Sequence, residues 1–165
     1  MSISTTAIMH TLNHTLEKCV LEADGRYLNA QELSPLEQYA QSYAVRTHTY
    51  QQLRDSGDAL ILQALRKLGQ TYPELIQQHG QRCKYDMTEV LRYVALSILR
   101  DDETFFKEQM MSWLDTILLA HKKTAHCMKA YRFLQEAIAA TLPAEDVALT
   151  RPYFDIVTQS LQAHA

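Results

Sequence analysis

The sequence predicts an all-α protein, and three observations carry that reading. Apolar residues recur at spacings of three and four along most of the chain, which marks helices with one buried stripe. No segment sustains the period-two alternation of a half-buried strand. Only 4 Gly and 4 Pro occur in 165 residues, so turns are few and helices long.

The elements follow in order. Residues 3–22 carry Ile8, Leu12, Leu16, Cys19 and Val20 on one stripe, and Asp24-Gly25 ends that helix. Asn29 and Glu32 have the spacing of a capping box and start a helix that the pattern carries to about Arg54. Pro35 lies early enough in it to be tolerated. The segment "DSGD" (55–58) reads as a break, after which Leu60, Ala64, Leu65 and Leu68 resume helical spacing. "GQTYPELIQQHG" holds two glycines and a proline and reads as the main loop of the middle of the chain. Cys83 follows it directly, at the expected start of a helix burying Met87, Val90, Leu91, Val94 and Ile98. "RDDET" is a break with Asp102 or Thr104 as the cap. Helices are expected over 105–119, 126–142 and 152–161, for seven to nine in all. Repeated changes of direction predict a globular helical fold rather than an up-down bundle.

Composition narrows the function classes. The chain is 47% apolar and 21% charged, as in ordinary globular proteins. The formal net charge of -3, with no basic tract, gives no electrostatic case for nucleic acid. No apolar run reaches the roughly 20 residues of a membrane span, and the first residues lack the pattern of a signal peptide. The cysteines Cys19, Cys83 and Cys127 are odd in number and far apart, which argues against a disulfide framework and for a reducing, cytoplasmic setting. Nucleophile elbows, phosphate-binding loops and zinc spacings are absent, so an enzyme is not expected. His10 and His14 stand four apart, and His121 and His126 five apart; without a third ligand these are weak metal signals.

The segment "QRCKYDMTEVLRY" (81–93) holds the most chemistry. At a helix N-terminus, with Arg82 and Lys84 beside it, Cys83 would be biased toward thiolate. Asp86 lies one turn on, where a carboxylate accepts hydrogen bonds from ligand N–H groups; Arg82, Lys84 and Arg92 could meet ligand carboxylates. On residue types alone, a small buried thiol among solvated charges is the commoner arrangement. Trp113, with Met110, Met111 and Leu114, reads as core or subunit interface.

Three segments, "EADGRYLNAQEL", "CKYDMTEVLRY" and "RPYFDIVTQSL", resemble in order the signatures of the phycobiliproteins, especially the allophycocyanin type. The resemblance implies a globin-like helical fold in one domain: an N-terminal helical extension over 1–30 and a globin core over 31–165. It implies that Cys83 forms a thioether with a linear tetrapyrrole of the phycocyanobilin type, and that Asp86 bonds its pyrrole N–H groups. By the same resemblance, Asp24 pairs across a subunit interface with an arginine matching Arg92, and Tyr27 and Tyr93 belong to that interface. Three positions depart from the family pattern. Tyr85 stands where an arginine binds a propionate, a role Arg82 could take over; Glu89-Val90 replaces a Tyr-Tyr pair. The loop before Cys83 is also shorter, with less cover for a chromophore.

The implied function is bilin binding for light harvesting or bilin handling. The setting would be cytoplasmic, at the thylakoid face. Partners would be a like or unlike subunit, other phycobilisome components or a bilin lyase. Two alternatives remain: an assembly module that carries no pigment, and a haem-binding globin.

Overall fold

The computed structural model describes residues 13–121 and 124–163. The expected first helix lies outside the described residues before Asn13, and His10 with it. Within the described residues every regular element is helical. These are α1 (His14–Glu22), α2 (Ala30–Gln41), α3 (Tyr43–Thr71), α4 (Pro73–Arg100), α5 (Glu103–Phe106), α6 (Ser112–His121), α7 (Thr124–Thr141) and α8 (Ala144–Ala163). A π-helical turn, Lys107–Met111, joins α5 to α6.

The centre of the molecule is the antiparallel hairpin of α3 and α4. Its register is plain in its contacts: Gly69 faces Ile76, Asp58 pairs with Lys84, and Gly57 faces Leu91. Arg46 donates to the carbonyl of Leu99 at the far end. At 29 and 28 residues, each helix is roughly 43 Å long. Only Tyr72 separates them, and Pro73 begins α4 where its missing N–H costs nothing.

Two expected breaks and one expected helix start are therefore not there. The "DSGD" segment is interior to α3, because Gly57 lets that helix approach α4: a Cβ there would lie 3.3 Å from Leu91 Cδ2. "GQTYPELIQQHG" is helix on both sides of Tyr72, with Gly69 and Gly80 packed on Ile76. Pro152 sits inside α8, which starts eight residues earlier at Ala144. The helix expected over 30–54 is instead divided at Ser42.

The core lies where α7 and α8 cover this hairpin. Leu60, Ile61 and Leu68 meet Val90, Val94 and Ile98, with Phe106, Met110, Leu134, Ile138, Phe154 and Val157 completing it. Trp113 is only partly buried at its edge.

The N-terminal elements are held by polar caps. Asn13 caps α1 by accepting from Leu16 N (3.0 Å), while its amide donates to the Arg100 and Asp101 carbonyls (3.1 and 2.7 Å). Asp102 returns the favour twice. One oxygen accepts from Phe105 N and caps α5; the other accepts from His14 N and from His14 Nδ1 (2.7 Å). The Asn29–Glu32 capping box is present with both bonds made, and Gly25 takes the left-handed conformation (φ 78°) that turns the chain before it. Leu16 is buried, but Val20 and Leu21 are exposed, so the apolar stripe of α1 is only partly covered.

Candidate functional site

Cys83 lies in the interior of α4, ten residues beyond Pro73, and not at a helix start. The dipole argument for a thiolate there fails, since that effect is confined to the first turn. What positions Cys83 is packing. Its side chain is half-buried against the core, facing a cleft between α4 and α7.

The cleft has a volume of about 130 Å³ and is mostly apolar. From α4 it is lined by Leu75, His79, Arg82, Cys83, Asp86 and Met87. The opposite wall is His126, Cys127, Ala130 and Tyr131 of α7, and Leu68, Leu114 and Ile117 close it. Tyr72 stacks edge-on against His126 at 4.7 Å, beside this wall.

Positions 82, 83 and 86 fall on one side of α4 because a helix turns once in 3.6 residues. Arg82 Nε donates to both oxygens of Asp86 (3.0 and 3.2 Å), a pair four residues apart on the helix. The Asp86 side chain is 18% exposed, so its carboxylate is held at the cleft and not in bulk water. Tyr131 is buried. Burial pushes its phenol well above the ordinary tyrosine range, and the neighbouring Cys127, Asp86 and Cys83 add to the rise. Two thiols, a carboxylate and a phenol therefore converge on one apolar site.

The other expected ligand contacts go elsewhere. Lys84 turns away from the cleft to pair with Asp58 of α3 (2.8 Å), and Tyr85 is exposed. Neither lines the cleft. Glu89 pairs with Arg92 three residues on (2.6 Å), and Arg92 also lies over the Tyr93 ring at 4.7 Å. Tyr93 is half-buried against Phe105 (ring centroids 6.1 Å apart). Asp24 and Tyr27 are solvent-facing on the turn after α1, Tyr27 at 97% exposure. Asp24 makes no ion pair among the described residues, so within one chain it does not meet Arg92.

The contribution of α7 was not visible in the sequence reading. Cys127 and Tyr131 are four residues apart, which puts them on one helical face, but only the fold brings that face opposite Cys83. Among the described residues no cluster of three or more His, Cys, Asp or Glu has the geometry to hold a metal ion. None of the three cysteines is in a disulfide.

A sequence model described as "Phycobilisome protein" matches residues 19–161. The chain belongs to the phycobilisome protein family. It is 31% identical to the allophycocyanin alpha-B chain of Cyanidium caldarium, over 88% of this chain and 97% of that relative. It is 28% identical to allophycocyanin subunit alpha 1 of Nostoc sp., over 86% and 93%, and 28% to the allophycocyanin alpha-B chain of Synechococcus sp., over 89% and 97%. The helices form the globin-like arrangement of this family, whose members are pigment-assembly proteins and not enzymes. Among the described residues no helix is long and apolar enough to cross a membrane.

Proposed function

We propose that this phycobilisome-family chain carries a linear tetrapyrrole of the phycocyanobilin type, attached through Cys83, and works in light harvesting. One observation supports this above the rest: Cys83, Asp86 and Arg82 share a single apolar cleft in a chain of this family. The residues fit such a group. A half-buried thiol offers the attachment atom. Asp86, already held by Arg82, accepts hydrogen bonds from pyrrole N–H groups, and the freed Arg82 can then meet a propionate. When bound, the tetrapyrrole supplies a conjugated system that absorbs visible light. The apolar α7 residues opposite Cys83 would hold its attached end against twisting and exclude water from it.

The cleft volume of about 130 Å³ is below the roughly 300–1,000 Å³ of a drug-sized ligand site. An extended tetrapyrrole would thus occupy it in part and cross its open rim near His79 and Arg82. The same small volume, with exposed Tyr85 and self-paired Glu89, favours a second reading: a subunit that keeps the fold for assembly and carries no pigment. Family membership favours a linear tetrapyrrole over haem.

For assembly, the family and the exposed apolar residues Val20, Leu21, Tyr27, Leu33 and Tyr43 support docking of the α1–α2 side on another phycobiliprotein-like subunit. Asp24, Arg92 and Tyr93 would belong to that contact. A lyase would serve the attachment step. The chain would then sit in a phycobilisome at the cytoplasmic face of the thylakoid, as one globin-like domain (31–165) with an N-terminal extension whose helix α1 is held through Asn13 and Asp102.

Co-expression with bilin synthesis and a lyase tests this. The expected product is coloured and keeps zinc-enhanced fluorescence in a denaturing gel, and Cys83→Ala loses that signal. A colourless wild-type protein would favour the unpigmented assembly subunit.

A further inference from the structure

We infer that Cys127 is a second ligand-attachment thiol in the same cleft, able to form a thioether with a conjugated tetrapyrrole from the α7 side. This rests on the proposed function of the cleft.

Two independent helices each deliver one thiol to one cavity. Cys83 comes from α4 and Cys127 from α7, and both side chains are half-buried, line the cleft and are not joined in a disulfide. Both thiols and the Asp86 carboxylate lie close enough to the buried Tyr131 phenol to act on its ionisation. A ligand large enough to fill the cleft therefore touches both thiols at once. Apolar walls favour a flat conjugated ring, and Asp86 and Arg82 favour one with N–H donors and a carboxylate arm.

The chemistry at Cys127 needs no oxidant and no leaving group. The sulfur adds to one carbon of an exocyclic carbon–carbon double bond, and the thiol proton ends on the neighbouring carbon. Holding the ligand between two walls gives a high effective concentration of the second thiol. The reaction proposed for Cys83 is thus available to Cys127 on a ligand that keeps a second exocyclic double bond or, where Cys83 is absent, in its place.

The experiment uses the full chain as wild type, Cys83→Ala, Cys127→Ala and the double variant, each folded by its helical circular dichroism. Each is co-expressed with phycocyanobilin synthesis and a bilin lyase, purified, denatured, digested and mapped by mass spectrometry. Should Cys83→Ala fold poorly, Cys83→Ser replaces it. The expected result is an adduct on the Cys127 peptide in Cys83→Ala, at a tenth or more of the wild-type yield, and its loss in the double variant. An adduct on Cys83 in wild type with none on Cys127 in Cys83→Ala overturns this inference and leaves the proposed function standing. An adduct on Cys127 alone in wild type upholds it and overturns the role of Cys83. No adduct in any variant overturns both.

Discussion

Asp146 shows what single residues contribute away from the cleft. It has no exposed surface, yet it carries a carboxylate. Thr49 Oγ1 donates to its Oδ1 at 2.6 Å and His48 Nδ1 lies 3.2 Å from the same atom, while Oδ2 has no hydrogen-bond partner among the described residues. Its place in the first turn of α8 adds the favourable field of a helix N-terminus. The site is under-satisfied already, so removing one donor is costly. Thr49→Val keeps the shape and deletes the hydroxyl; it is expected to destabilise the fold by about 1–3 kcal/mol, read from the midpoint of urea unfolding. Thr49→Ser keeps the donor and should lose well under half as much. Arg46 is the opposite case. It is buried but well satisfied, donating to the carbonyls of Tyr39 and Leu99 and to Ser42 Oγ, with the Tyr39 ring 4.0 Å away.

At the scale of elements, the anchor of α1 is the place where pH should act. Its hydrogen bond to Asp102 raises the His14 pKa above the ordinary 6.5. Burial works to raise the Asp102 pKa, but bonds from Phe105 N and from His14 outweigh it and leave it below the ordinary 3.8. The signs then fix a window. The His14 contribution is complete below pH 6.5 and is lost as pH rises through its higher folded value. The Asp102 contribution is complete above pH 3.8 and is lost as pH falls through its lower folded value. Between about pH 4 and 6.5 both are present. Amide exchange over residues 14–22, corrected for intrinsic rates, should therefore show more protection at pH 5.5 than at pH 8. His14→Ala should erase that difference.

Glycines explain where the elements were legible and where they were not. The capping box at Asn29, the break at Asp102 and the apolar periods of α3, α4 and α7 could be read because each is a local signal. Gly57, Gly69 and Gly80 read as turn residues, but the fold places all three inside helices and uses Gly57 and Gly69 as low points where side chains of α4 approach α3. That use depends on tertiary contact, which no local pattern records. The same error put Cys83 at a helix start. Cys83 and Asp86 were legible as a pair, whereas Cys127 and Tyr131 were not, since their relation to Cys83 spans two helices. The glycines can be told apart by substitution. At Gly69 a Cβ would sit 3.5 Å from Ile76, ordinary contact, so Gly69→Ala should stabilise the protein by about 0.5–1 kcal/mol through helix propensity. Gly57→Val must push Leu91 aside and should destabilise it by about 1–3 kcal/mol. Thermal melts of the two variants should move in opposite directions.

For the whole molecule, the proposed assembly contact depends on which partner Arg92 takes. Within the chain its guanidinium is held by Glu89, with Nη2 at 2.6 Å and Nε at 3.4 Å from the two carboxylate oxygens. Both side chains are partly exposed, so the pair contributes little to stability and is readily exchanged. If Arg92 pairs with Asp24 of a neighbouring subunit, as proposed, Glu89 competes for it on its own helix. Breaking the internal pair has to precede the external one, and this weakens association. The competition predicts a gain of function. Glu89→Gln removes the internal charge, keeps the shape and leaves Arg92 free to dock, so self-association or binding to a phycobiliprotein-like partner should tighten several-fold in sedimentation equilibrium. The gain should shrink at high salt, because it is electrostatic and lies at an exposed rim. Arg92→Glu should weaken association below wild type, and adding Asp24→Arg to it should recover part of the loss by restoring an opposite-charge pair. Identical association of wild type, Glu89→Gln and Arg92→Glu would mean that the exposed apolar residues of α1 and α2 bring subunits together without this pair.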